Sequence, residues 1–177
     1  ASRSTSFFHT GKQSVAASLN SQFGVSMQNN QHRAGKYKVS VWVEKSNAAK
    51  AQLKVNGTIV SFQSDSNIAG NWQLKTAYVT VPASTCTIYL SSADSSTVYF
   101  DDLMIRPMAS SITGYVYNEW DELNYIIGNN GLASRFEYDE AGRLVRTYTE
   151  VMDDQDNDIV GGFKLTSTNK INYKYLN

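Results

Sequence analysis

Phe136-Glu137-Tyr138-Asp139-Glu140-Ala141-Gly142-Arg143-Leu144-Val145 reads as the tip of a β-hairpin. Phe136 and Tyr138 alternate with Arg135 and Glu137, the two-residue period of a strand with two different faces. An Asp at 139 accepts hydrogen bonds from the backbone of its own turn, and a Gly at 142 takes the left-handed conformation that closes it. Strand then resumes, with Leu144, Arg146 and Tyr148 on one side and Val145 and Thr147 on the other. A weaker copy stands earlier in the chain at the same internal spacing. Tyr117-Asn118 matches Tyr138-Asp139, Leu123 matches Leu144, and Asp121-Glu122 replaces Gly142-Arg143. Two copies at one spacing are a repeat signature.

Working outward, the rest of the chain also reads as β. Eleven Tyr and three Trp stand among many Ser, Thr and Asn, with only two Pro, in 177 residues. That composition suits strands, and the length suits one ordinary domain with an appendage. Lys12 to Leu19, Lys36 to Glu44, Gln52 to Val55, Thr58 to Ser61, Trp72 to Val81, Thr85 to Leu90 and Thr97 to Ile105 are the expected strands before residue 108. In the strongest, Tyr37, Val39, Val41 and Val43 face one way, while Lys38, Ser40, Trp42 and Glu44 face the other. Asn56-Gly57 between two short apolar runs is a hairpin signal. Short strands at this spacing predict an all-β fold, a jelly-roll β-sandwich over 1–108. Pro107 and Ala109-Ser110-Ser111 then separate it from hairpin repeats over 109–150. A tail over 151–177 holds an acidic loop (Asp153, Asp154, Asp156, Asp158), a Gly161-Gly162 turn and a final strand-like Ile171 to Tyr175.

The run Tyr138-Asp139-x-x-Gly142-Arg143-Leu144 resembles the YD repeat of the Rhs/YD-repeat family, with Tyr117 the matching tyrosine of the first copy. The resemblance spans roughly residues 110–150. It implies β-sheet shells or stalks in secreted and cell-surface proteins. His9-Thr10-Gly11, then Gly35 to Val43, Asn71-Trp72-Gln73 and Val98 to Ile105 resemble, in order, the galactose-binding-like jelly roll of carbohydrate-binding modules. Such modules begin with a strand ahead of the His-Thr-Gly segment. Little chain precedes His9, so that strand is expected to be missing or supplied from upstream. Gly161-Gly162-Phe163-Lys164, Asn169-Lys170 and Tyr173-Lys174 are similar to the closing segment of large YD-repeat surface proteins of Bacteroidetes. Together these imply a fragment of a larger secreted or cell-surface chain, exported by the type IX pathway. Tyr173 and Tyr175 are then the side chains of a strand offered to secretion or outer-membrane machinery; the alternative is a segment that closes the last repeat and caps the sheet.

Several function classes are disfavoured by the residues themselves. Sixteen basic residues balance sixteen acidic ones without a basic face, which argues against nucleic acid. His9 and His32 are isolated, and no nucleophile, zinc or phosphate-loop motif accompanies them, so the chain reads as a non-enzyme. Cys86 is the single cysteine and shares a strand face with Ile88 and Leu90, which makes it a core residue and leaves no intrachain disulfide. Asp154-x-Asp156-x-Asp158 begins like a calcium loop, but Ile159 and Leu165 stand where that loop needs Gly and Glu. Asp101-Asp102, with Asp102 preferred, is the candidate site of a structural calcium; the alternative is a carboxylate bonded to backbone amides at a sheet edge. Trp42, with Ser40 and Lys38 beside it, is the candidate glycan face, and the alternative is an indole packed under a loop or the hairpin segment.

Overall fold

The computed structural model describes residues 1–64 and 67–170 and is all-β. Its first ten strands are Ser2–Ser4 (β1), Ser14–Ala17 (β2), Phe23–Met27 (β3), Gly35–Glu44 (β4), Ala51–Val55 (β5), Thr58–Val60 (β6), Ile68–Ala69 (β7), Trp72–Val81 (β8), Cys86–Ser92 (β9) and Val98–Pro107 (β10). They form two antiparallel sheets, one in the order β1-β2-β10-β4-β8-β7 and one in the order β3-β9-β5-β6. Five further strands, Gly114–Tyr117 (β11), Leu123–Ile127 (β12), Ala133–Tyr138 (β13), Leu144–Val151 (β14) and Gly162–Thr168 (β15), form a third sheet as a simple meander in chain order.

The alternation in β4 explains how three layers stack. Tyr37, Val39, Val41 and Val43 point into the sandwich, where they meet Leu53 and Val55 of β5 and Cys86, Ile88 and Leu90 of β9. The opposite face of the same strand points at the meander. There Trp42 packs with Trp72 and Leu74 against Leu132 and Met152. A second patch, Met104 of β10 with Tyr125, Ile127 and Ala133, extends that contact. The six-stranded sheet is therefore the middle layer and is apolar on both faces.

Turn chemistry places the elements as the sequence suggests. Asn56 and Gly57 both take positive φ, 48° and 80°, and close the β5–β6 hairpin. In the meander one turn geometry recurs. Asn118 N–H donates to Glu122 O at 3.0 Å, Gly128 N–H to Leu132 O at 2.8 Å, and Asp139 N–H to Arg143 O at 2.9 Å. The fourth residue of each turn is left-handed: Asp121 at φ 59°, Gly131 at 87° and Gly142 at 72°. The two tips at 118–122 and 139–143 lie at the same end of the sheet, with strands β12 and β13 running between them.

Three expectations are corrected. A strand does precede His9: Ser2–Ser4 pairs with Ser14–Ala17, so the sandwich is not short of that element. Phe23–Met27, absent from the expected strands, is one: Phe23, Val25 and Met27 alternate with Gly24 and Ser26, and it pairs with β9. Gly162 opens a strand instead of sitting in a turn, and Gly162–Thr168 is hydrogen-bonded along β14 as the edge of the meander. Tyr173 and Tyr175, the residues assigned to an export or partner strand, lie outside the described residues.

Candidate functional site: a buried His–carboxylate cluster between the sheets

His9 sits where the sandwich meets the meander and is 6% exposed. Its ring lies flat on the Trp42 indole, with centroids 4.2 Å apart and planes 22° apart, and meets the edge of Trp72 at 5.8 Å. Both ring nitrogens are engaged. Nδ1 is 2.6 Å from Asp102 Oδ2, and Nε2 is 2.6 Å from Glu150 Oε1. Asp102 belongs to β10 and Glu150 to β14, so one imidazole joins the middle sheet to the meander.

Each partner is itself held. Glu150 is 2% exposed, and its other oxygen accepts the Ala133 N–H at 3.0 Å. Asp102 Oδ1 accepts the Thr10 hydroxyl at 2.8 Å. Asp101 Oδ2 accepts the His9 N–H at 2.7 Å, and its Oδ1 accepts the Asp102 N–H at 2.8 Å. A bulge delivers this arrangement. The β10–β4 register slips between Asp101 and Met104, and Asp102 takes a φ of 47° there. An extra residue in one strand re-aims the side chains around it, and here both aspartates reach the 9–10 segment instead of splitting between two faces.

The electrostatics follow from this geometry. Burial alone would push the His9 pKa down. The hydrogen bonds that the ring donates to the Asp102 and Glu150 carboxylates, with their charges, outweigh it and raise the value to about 9, so His9 is an imidazolium at neutral pH. Burial and the neighbouring Asp102 charge raise Asp101 to about 6. With neither ring nitrogen open, His9 has no free position for a proton relay or a metal ion.

Residues singled out in the sequence for unrelated reasons meet here. Trp42, the candidate glycan platform, is 0% exposed; one face is covered by His9, and its Nε1–H donates to Gly131 O of the meander at 2.8 Å. The exposed sugar face is thereby overturned, because the polar side of β4 is covered by a second sheet and not by water. Ser40 is buried on the same side, and Lys38 is exposed to an intermediate degree, opposite Arg106 and Tyr78. Of the calcium candidates, Asp101 has its oxygens on the backbone N–H groups of His9 and Asp102, the alternative of a carboxylate bonded to amides, while Asp102 has its oxygens on the His9 ring and the Thr10 hydroxyl. Among the described residues no group of three or more His, Cys, Asp and Glu is arranged to hold a metal ion.

The repeat residues lie apart from this cluster, at the hairpin tips. Asp139 Oδ1 accepts Ala141 N–H at 2.9 Å and Arg143 N–H at 3.0 Å, and its Oδ2 pairs with the Arg143 guanidinium at 2.7 Å. That guanidinium holds the Asp139 carboxyl below the usual carboxylate range. Asn118 repeats the role, accepting Trp120 N–H at 2.9 Å and Glu122 N–H at 3.0 Å. Tyr138 pairs with Leu144 and donates its hydroxyl to Leu123 O at 2.8 Å, tying one hairpin to the next. Tyr117, in the edge strand β11, is 57% exposed.

His9 and Glu150 are not legible as a pair in the sequence, since 141 residues separate them. The only local signal is parity. Glu150 continues the Arg146, Tyr148 series, and its register with Phe163, together with its bond to Ala133 N–H, places it on the inward face of β14. Comparison of the chain with known protein families and with curated proteins finds no match.

Proposed function

We propose that this chain is a non-catalytic structural and adhesive region of a large secreted or cell-surface protein of the YD-repeat kind, in which a β-sandwich is clamped to a hairpin-repeat sheet. The observation that carries the reading is the His9 imidazolium, enclosed and shared between Asp102 and Glu150. A catalytic histidine keeps one nitrogen open toward a substrate. This one has none, and its bonds instead hold two sheets together. The twice-repeated tip, with the same hydrogen bonds around Asn118 and Asp139, supports the kinship with YD repeats. Export rests on the sequence resemblance alone.

Clamping has a calorimetric consequence. The intact chain unfolds in one transition whose calorimetric and van't Hoff enthalpies agree, the signature of a single cooperative unit. His9→Ala separates it into a sandwich transition and an earlier, broader one from the meander. Two transitions in the unaltered chain overturn the reading.

A further inference from the structure

Trp120 is 77% exposed, although a Trp indole is among the largest apolar surfaces a chain can bury. The backbone that carries it is held in a closed turn. Its backbone N–H is bonded to Asn118 Oδ1, in the same turn geometry that Asp139 builds in the second copy. Between those two equivalent tips lies an open groove of about 750 Å³, with Trp120 and Asn118 on one side and Asp139 and Glu140 on the other. The tips stand two strands apart, which at ordinary strand spacing is about 10 Å, the width of one extended chain with its side chains.

The polar groups of the groove select what can enter. Four carboxylates and one guanidinium line it. Asp139 is paired with Arg143, and Glu137 with Arg135 and Arg146. Glu122 uses Oε2 on the Asn118 amide and leaves Oε1 without a hydrogen bond among the described residues. Asn124 gives its amide N–H to Phe136 O, and its carbonyl oxygen has no hydrogen bond among the described residues. Glu140 has no ion pair or hydrogen bond among the described residues. The open groups are thus acceptors, two of them charged, beside an exposed π-face. A ligand that satisfies all of them carries N–H donors and positive charge, because a cation is attracted both by carboxylates and by the face of an indole. An acidic ligand is repelled.

We propose that the groove between the two hairpin tips binds a basic peptide segment, seating a lysine or arginine side chain against the Trp120 indole and the Glu122 and Glu140 carboxylates. The site is separate from the buried His9 cluster.

The test uses the whole chain and three probes: an arginine hexamer with blocked ends, a glutamate hexamer, and the neutral sugar maltohexaose. Trp42 and Trp72 are buried, so a change in tryptophan emission reports Trp120, and calorimetric titration gives the affinity. The arginine hexamer binds, and the other two do not. Trp120→Ala weakens it roughly tenfold, as expected for loss of a partly desolvated cation–π contact. Glu122→Gln combined with Glu140→Gln weakens it by a similar factor, and raising the salt to about 0.5 M weakens the parent. Trp120 and Glu140 are exposed and Glu122 is half-buried, and unchanged melting temperatures verify folding. Equal binding by parent and variants means adsorption elsewhere on the surface and overturns the proposal, as does binding of maltohexaose in place of the arginine hexamer.

Discussion

Between the facing sheets of the sandwich, Val39, Val41, Val43, Leu53, Ile88 and Leu90 are all fully enclosed by residues of the same region. The meander has no comparable interior among the described residues. Tyr125, Ile127 and Ala133 are its buried apolar residues, and they are covered by Met104 of β10. Elsewhere it shows Tyr115, Tyr117, Trp120 and Leu165 to solvent. A single sheet has one face to spare and must place the other against something. The difference shows how a repeat too short to build a core can still be rigid: it uses a neighbour's flat apolar face and adds directional polar bonds. Here these are His9 to Glu150, Trp42 to Gly131 O, and Asp153 N–H to Ile68 O at 2.6 Å.

The contrast breaks most visibly at the clamp. Glu150→Ala leaves a buried imidazolium with one carboxylate and strands the Ala133 N–H. Removing one partner of a buried pair costs about 3–5 kcal/mol. Denaturant titration is expected to show a loss of that size in the stability of the chain. A loss under about 1 kcal/mol would mean that apolar contact alone holds the sheets together.

A somewhat smaller effect comes from pH. His9 holds its proton to about pH 9 when folded, against an ordinary value of 6.5 in the unfolded chain. The stabilisation it supplies is complete below pH 6.5, falls as pH rises, and is gone once pH passes about 9. The full change is about 3 kcal/mol. His9→Gln flattens the stability profile across that window. A parent whose stability stays level throughout it contradicts the assignment of a charged His9.

The smallest test separates the two tips from each other. Asp121 occupies the left-handed position that Gly142 fills in the second copy. Asp121→Gly relieves that conformation and is expected to stabilise by about 1 kcal/mol, while Gly142→Ala destabilises by about 1 kcal/mol. Thermal melts of the two single variants therefore move in opposite directions. Shifts of the same sign would show that the two turns are not equivalent.

Much of the fold is legible in the sequence because its signals are local. Asn56-Gly57 demands a tight turn, and the strict alternation of Tyr37 to Glu44 defines a strand with two environments. Tyr138 to Leu144 carries its own turn chemistry. What alternation does not say is which environment is water. Trp42 shares a side with Lys38 and Glu44, and that side is covered by a layer whose strands come from the other end of the chain. The edge strands β3 and β15 are hard to read because most of their residues stay exposed, Val25 and Leu165 among them, so their apolar side chains do not mark a buried face. The cluster is illegible in principle from spacing. His9, Asp102 and Glu150 lie in three distant stretches, and only the bulge at Asp102 turns them toward one point.

The meander also works as a ruler with one fixed mark. Because its strands follow chain order, each added repeat unit would widen the sheet by two strands, about 10 Å. Glu150, however, must meet His9, and Gly131 must meet Trp42. Inserting a unit between β12 and β14 would carry Glu150 about 10 Å away from its partner. The clamp thereby forbids lengthening between β12 and β14, whereas a unit added outside that span leaves Glu150 facing His9 and Gly131 facing Trp42. Variation in the number of such repeats is thereby kept out of the span between Gly131 and Glu150, and the geometry next to the sandwich stays constant.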